Sequence, residues 1–378
     1  MSADSPSSRT LHICAGDAVV TVITTETAVT DWLTSYLGSW WTVREQRSTD
    51  GVSGSPVLRC GLDPAAYRST HKQVRCQPHQ VVEFARKPIQ VAIRSDGVQA
   101  IDPGEQVAYH ATHETGQVDV YAVDSLGLCL AAARIARELI RVQLEADGWS
   151  ILHASAVVQE DSALLTVGPK GAGKTTAALL LARDGWQLLA NDRVFIHPAT
   201  LALLPWPSAA ALGIGLLHAH GLLDNVRERI TLGHQLHPTV ARTVVTAISG
   251  GRTEALVDEH GKELKPQFFP HQLVDWLGLR LARSATAGQL LFPRIDPTGR
   301  PELEPAPRTL TTTDFFDPAG DDRYPDFLGL ARISSEQRHQ MWARIGHRVE
   351  SLPHRGVLLN HDTARSRQLL ATLTNWSR

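Results

Sequence analysis

Eight consecutive residues carry the most specific chemical signal in the chain. Gly168-Pro169-Lys170-Gly171-Ala172-Gly173-Lys174-Thr175 fits the pattern G-x-x-x-x-G-K-[ST] at every fixed position. Glycines in such a loop let backbone N–H groups converge on phosphate oxygens without obstruction from a Cβ. The helix that follows presents the positive end of its dipole to the same anion. Lys174 can reach the β- and γ-phosphates of a nucleotide, and the Thr175 hydroxyl can ligate the magnesium that bridges them. The expected ATP and Mg2+ site therefore takes in Gly168, Lys170, Gly171, Ala172, Gly173, Lys174, Thr175 and Thr176. Lys170 occupies a variable position, where it either adds charge at the rim or is an ordinary surface lysine. A second candidate follows in Asn191-Asp192-Arg193. A carboxylate there can ligate magnesium or accept a proton from an attacking hydroxyl.

The elements around these residues suit the chemistry. An apolar strand, Leu164 to Val167, runs into the loop, and an apolar helix, Thr176 to Ala182, leaves it, which is the strand–loop–helix setting a phosphate loop needs. Asp184-Gly185 stops that helix, and Trp186 to Ala190 reads as the next strand, placing Asp192 at the carboxyl end of a strand beside the loop. Upstream, Ile151 to Val158 turns through Gln159-Glu160-Asp161 into Ser162 to Val167. Before it, Asp124-Ser125 caps a helix with Leu128, Ala132, Ile135, Leu139 and Val142 on one face and Arg134, Arg137, Arg141 and Glu145 mainly on the others. Asp147-Gly148 ends it. Residues 1–123 read as short strands, among them Ala18 to Thr24, Val81 to Phe84 and Ile89 to Ile93. A short helix is expected over Thr30 to Leu37 with Thr30 as cap, and loops over Ser48 to Pro56 and Asp102 to Glu105. Six prolines between Pro293 and Pro318 favour an extended connection. Helices are expected from Ser334 or Ser335, where Ser334 and Gln337 have capping-box spacing, and over Asp362 to Asn375.

The segment from Leu152-His153-Ala154-Ser155-Ala156-Val157-Val158, through Gly168 to Thr175, to Gly185-Trp186-Gln187-Leu188-Leu189-Ala190-Asn191-Asp192-Arg193-Val194 resembles the catalytic core of the HPr kinase/phosphorylase family. That family carries H-G near the start of the corresponding strand, G-x-x-G-x-G-K-S, and R-G-H-x-L-x-A-D-D-x-V. The separation of 17 residues between Thr175 and Asp192 matches its spacing. The resemblance covers roughly residues 150 to 196. It implies that Lys174 binds the transferring phosphate and Thr175 the magnesium. It also implies that Asp192 accepts the proton of a substrate hydroxyl, with His153 beside the γ-phosphate and Asp192. Asn191 replaces the first aspartate of the family's pair. Ser208-Ala209-Ala210-Ala211-Leu212-Gly213-Ile214 is the best match to the family's E-x-R-G-L-G-I, with serine where the glutamate would stand. One carboxylate ligand is lost, which also weakens the expectation of the family's reverse phosphorolysis. Arg252, Lys262 and Lys265 are the candidates for its distal catalytic cation.

Composition bounds the rest. Over 378 residues, 37 basic against 39 acidic side chains argue against a protein that neutralises many nucleic-acid phosphates. Only six of the cations are lysines, so Lys174 is not one of many. Cys14, Cys60, Cys76 and Cys129 form no C-x-x-C pair and read as reduced thiols of a cytoplasmic protein. No secretory signal or spanning segment is visible, so no membrane partner is expected. His110-x-x-His113 and His218-x-His220 have spacings that can share a metal ion, but solvated loop positions are the simpler expectation. The tryptophans, including Trp40, Trp41, Trp149, Trp186 and Trp206, are expected in the core.

The expected fold is α/β: a P-loop kinase core of the HPr kinase/PEP carboxykinase-like type over 124–300, an N-terminal α+β domain over 1–123, and a Pro-rich connection with a helical C-terminal segment over 301–378. The expected function is an ATP-dependent kinase acting on a serine-type hydroxyl. The added N-terminal domain and divergent core resemble the stand-alone kinases that modify ribosomal peptides, lasso precursors among them, which implies a peptide or small-protein acceptor. Acceptors of small-molecule class (an amino acid, nucleoside or natural product) and a non-catalytic nucleotide-binding regulator stay open. A homo-oligomer is implied by analogy with the family.

Overall fold

The computed structural model describes residues 8–46, 54–85, 87–317 and 325–375. It is mixed α/β and divides into two compact units, Met1–Trp149 with Phe316–Gln340, and Ser150–Phe315 with Met341–Arg378. The division falls at Trp149 rather than at residue 123. The helix Ser125–Ala146 packs on the strands of the first sheet and against the helix Thr27–Leu37, so it belongs with them.

The first unit is a nine-stranded sheet among the described residues, running from Thr42–Gln46 at one edge to Gln80–Phe84 at the other. Alternation explains its strands. In Gln117–Ala122, for example, Val118, Val120 and Ala122 are buried while the intervening residues are partly exposed. The helix Thr27–Leu37 starts three residues before the expected Thr30, because the chain turns helical after Glu26. The Thr30 hydroxyl donates instead to the Thr27 carbonyl at 2.8 Å. Of the expected loop over Ser48 to Pro56, residues 48–53 lie outside the described residues.

Ser125–Ala146 is capped by Asp124, whose carboxylate accepts from the Gly127 N–H at 2.9 Å. It is buried on nearly every side, so the faces that carry Arg134, Arg137, Arg141 and Glu145 are covered as well. The Arg141 side chain is 0% exposed and donates to Glu138 at 2.6 and 2.9 Å and to Glu145 at 3.1 Å. Arg338 approaches Glu145 at 3.7 Å, and Arg134 pairs with Glu105 at 2.5 and 3.0 Å. Charges at i, i+3 and i+4 read alike whether they meet water or each other. Here a second layer covers them, and pairing makes burial tolerable.

The second unit holds a ten-stranded mixed sheet among the described residues. Its centre is Ser162–Val167, flanked by antiparallel Ala154–Gln159, with Ala154 opposite Val167, and by parallel Ala285–Ile295, with Thr166 opposite Leu291. Beyond Ala154–Gln159 lies Gln187–Ala190, which has the same sense as the central strand. Leu165, Val167, Leu290 and Phe292 form one core with Phe315, Trp342 and Ile345. The helix Lys174–Arg183 buries Ala177, Ala178 and Leu179 to Leu181 against the central strands.

The C-terminal part is not purely helical. Between the helices Ser335–Val349 and Thr363–Ala371, the strand His354–Leu359 joins the sheet parallel to Ala285–Ile295. The Pro-rich connection also contributes strand. Pro293 lies within Ala285–Ile295, and Glu302–Pro305 pairs antiparallel with His354–Leu359, a peripheral position that proline tolerates. Pro318 lies outside the described residues.

Candidate phosphate-binding site

The loop joins the central strand to the helix Lys174–Arg183 through two glycines in the left-handed region, Gly171 at φ +86° and Gly173 at φ +103°. A Cβ on Gly173 would also stand 2.9 Å from Ile295 Cγ1, so glycine is required there twice over. The Ala172 N–H closes a tight turn onto the Pro169 carbonyl at 3.2 Å. Lys174 folds over its own loop, its Nζ donating to the carbonyls of Gly168 at 2.6 Å and Pro169 at 3.2 Å. Burial pushes the Lys174 ammonium below the ordinary lysine value, and the negative charges of Asp192 and Asp314 oppose that push. The backbone N–H groups of the helix's first turn have no acceptor within the helix itself. Lys170 stands exposed at the rim, while Thr175 and Thr176 are partly covered on the first turn.

The strand senses decide what meets the loop. Ala154–Gln159 runs against the central strand, so His153, just before it, lies at the loop end of the sheet. Gln187–Ala190 ends at the same level and hands over Asn191 and Asp192 there. The Ser155 hydroxyl fastens this arrangement by donating to the Asn191 carbonyl at 2.6 Å. The structure thus brings Gly168–Thr176, His153 and Asp192 to one end of one sheet. The strand delivering Asp192 is not immediately beside the loop strand, as expected, but one strand further out, with Ala154–Gln159 between them. The Asp192 side chain is 54% exposed, open to an incoming ligand, and lies 4.0 Å from Arg193 Nε. Asn191 is 8% exposed, and its Oδ1 accepts no hydrogen bond from the described residues. It lines a narrow cleft with Thr175, Ala210 and Leu212.

That cleft also locates the divergent segment around Ser208. Ala210–Ala211 pairs with Gln267–Phe268, and the Leu212 N–H donates to the Pro266 carbonyl at 3.2 Å. Lys265 immediately precedes the segment that pairs with Ala210–Ala211 and stands exposed in an ion pair of 3.0 Å with Glu263. A Cβ on Gly213 would stand 2.4 Å from Glu263 Oε1, so this carboxylate lies against the same segment. The other two candidate cations are placed differently. Arg252 is tied to the carbonyls of Glu254 and Ala255 in its own turn, and Lys262 is exposed in the turn that follows Asp258.

Two residues behind the site, outside the set expected to contact ligand, were not anticipated: Asp314 and Arg308. Asp314 is 5% exposed. Its carboxylate accepts from Arg308 Nη1 at 2.5 Å and Nη2 at 2.7 Å and from the Thr311 N–H at 2.8 Å, and its carbonyl accepts the His153 N–H at 2.7 Å. The Arg308 guanidinium lies over the Phe292 ring at 5.1 Å. The available signal was Thr311-x-x-Asp314, a capping-box spacing that the structure realises.

A separate cleft of about 540 Å3, lined by Arg229, His234, Phe269, His271 and Trp276 among others, includes none of the loop residues. Among the described residues no group of three or more His, Cys, Asp or Glu is arranged to hold a metal ion. His110 is not a solvated loop residue. It lies on the strand Val107–Thr112 and shares a 2.7 Å hydrogen bond with the Thr70 hydroxyl. All four cysteines are unpaired thiols, and Trp40, Trp41, Trp186 and Trp206 are buried. No described helix is long and apolar enough to cross a membrane. No protein-family model matches the chain, and no curated protein matches it.

Proposed function

We propose that the chain is an ATP-dependent kinase with an HPr kinase-like P-loop core, transferring the γ-phosphate to a serine-type hydroxyl of a peptide or small protein. One observation carries the reading. A complete phosphate loop sits between a buried strand and an apolar helix, with the exposed carboxylate of Asp192 delivered to the same end of the sheet. The donors suit magnesium, which prefers oxygen ligands and commonly takes only one or two carboxylates beside substrate phosphates. Thr175 and Asp192 would hold it, and the orphaned Asn191 Oδ1 is a further oxygen on that side. When bound, the ion neutralises phosphate charge.

The chain's own residues do the remainder. Lys174 exchanges its two loop carbonyls for phosphate oxygens, and the loop N–H groups position the phosphates. Asp192 takes the proton of the acceptor hydroxyl. The new O–P bond forms as the β–γ bridging P–O bond breaks, and ADP leaves with the electron pair. Serine at position 208 and asparagine at 191 favour a second reading, a nucleotide-binding regulator without catalysis.

The test is ADP release from ATP by the wild type and Lys174→Ala, each with pooled peptides and pooled hydroxyl metabolites. Peptide-dependent release lost in Lys174→Ala supports the proposal. Release stimulated only by metabolites moves the acceptor to a small molecule, and nucleotide binding without stimulated release supports the regulator.

A further inference from the structure

The segment from Arg308 to Phe315 crosses the end of the loop strand. At one side Arg308 covers Phe292, on the strand pairing with one edge of Ser162–Val167. At the other, the Asp314 backbone carbonyl accepts the His153 N–H, one residue before the strand pairing with the opposite edge. Ala154 is directly opposite Val167, the residue before Gly168, so Asp314 lies within about two strand spacings, roughly 10 Å, of the loop. Phe315 anchors the crossing by stacking on Trp342 at 5.3 Å. The backbone of a buried carboxylate residue thus runs near the loop, and the negative charge of Asp314 acts on Lys174, the loop's working cation.

Such a carboxylate competes with phosphate. Nearly buried, Asp314 gains most from an ammonium or guanidinium brought into contact with it. Lys174 has a flexible stem and donates to two loop carbonyls. Arg308 fills that role first, with a planar fork that occupies both carboxylate oxygens, while the Thr311 N–H takes a further acceptor site. We infer that Arg308 is a positioning residue of the phosphate site: it sequesters Asp314, and so keeps Lys174 available for the nucleotide. The inference rests on the phosphate loop binding nucleotide and assigns Arg308 no contact with the substrate.

The test is a pair of exchanges and their combination, read as the Kd for ATP with magnesium by titration calorimetry on the full chain, with melting temperature alongside. Arg308→Gln leaves Asp314 free to capture Lys174, and the Kd rises by about tenfold. Asp314→Asn alone leaves the Kd at the wild-type value or lower. The double variant, Arg308→Gln with Asp314→Asn, returns it to within about threefold of wild type, although its melting temperature stays depressed. Arg308→Lys retains partial affinity. A merely structural pair gives the opposite pattern, in which both single variants lose stability and the double variant recovers no affinity. That outcome overturns the inference, as does an Arg308→Gln protein that is folded and binds ATP normally. If the wild type itself binds no ATP, the nucleotide reading fails and takes this inference with it.

Discussion

Replacing Gly173 with alanine tests the geometry of the loop through two separable costs. The residue sits at φ +103°, where an L side chain costs about 1–2 kcal/mol. The added methyl also stands 2.9 Å from Ile295 Cγ1, on the strand parallel to the loop strand. Forcing a methyl into packed surroundings costs about 1–3 kcal/mol more. Gly171 is the internal control. Its φ is +86° and a Cβ there meets nothing within 4 Å, so only the backbone cost applies. The expected destabilisation is about 2–5 kcal/mol for Gly173→Ala and about 1–2 kcal/mol for Gly171→Ala. In a unit of roughly 200 residues each kcal/mol moves the melting temperature by about 2–4 °C. Calorimetric scans and urea titrations of both variants measure the difference. Equal melting temperatures would show that the loop is not pressed against Ile295, and the packing argument for Gly173 would fall.

Three further outcomes are expected. Arg141→Ala leaves Glu138 and Glu145 without their buried partner and lowers the stability of the first unit by about 3–5 kcal/mol in urea titration. Burial works to raise the Glu105 carboxyl, but the hydrogen bonds and charges of Arg134 and Lys87 overcome it and hold it below the usual carboxylate value. Its stabilisation is therefore present above the unfolded-state value, near pH 4 to 5, and is lost as pH falls through the lower folded value. Glu105→Gln should flatten that acid limb in a pH series of unfolding curves. Finally, Lys265→Ala should reduce acceptor-dependent ADP release by about tenfold or more, whereas Arg252→Ala, tied to its own turn, should change it less than twofold.

What the sequence disclosed depended on how local each feature is. The loop, its feeding strand and its helix are contiguous, so Gly168 to Thr176 could be read directly. His153 and Asp192 could be placed because each adjoins a strand terminus, but the order of the strands could not, and Ala154–Gln159 proved to intervene. Arg308 and Asp314 were hidden because their importance comes from a chain return over the loop strand. Proline spacing marks such a segment as extended without saying where it goes. His354–Leu359 escaped for a related reason, since a six-residue run flanked by helices carries too little pattern to declare itself a sheet strand. On Ser125–Ala146 the apolar stripe was legible, yet the opposite face was covered as well, and its charges pair inside the unit.

The role proposed for Asp192 is to accept the proton of a serine-type hydroxyl at the phosphate loop. Its most direct measurement is transfer of label from γ-32P-ATP into an oriented peptide library with a fixed serine. Products are identified as phosphoserine, and the wild type is compared with Asp192→Asn. The expected result is labelled phosphoserine from the wild type and a rate lower by about 10²- to 10⁴-fold in the variant, with ATP affinity retained. Transfer that survives Asp192→Asn unchanged, or a wild type that binds ATP and labels no serine, would contradict it.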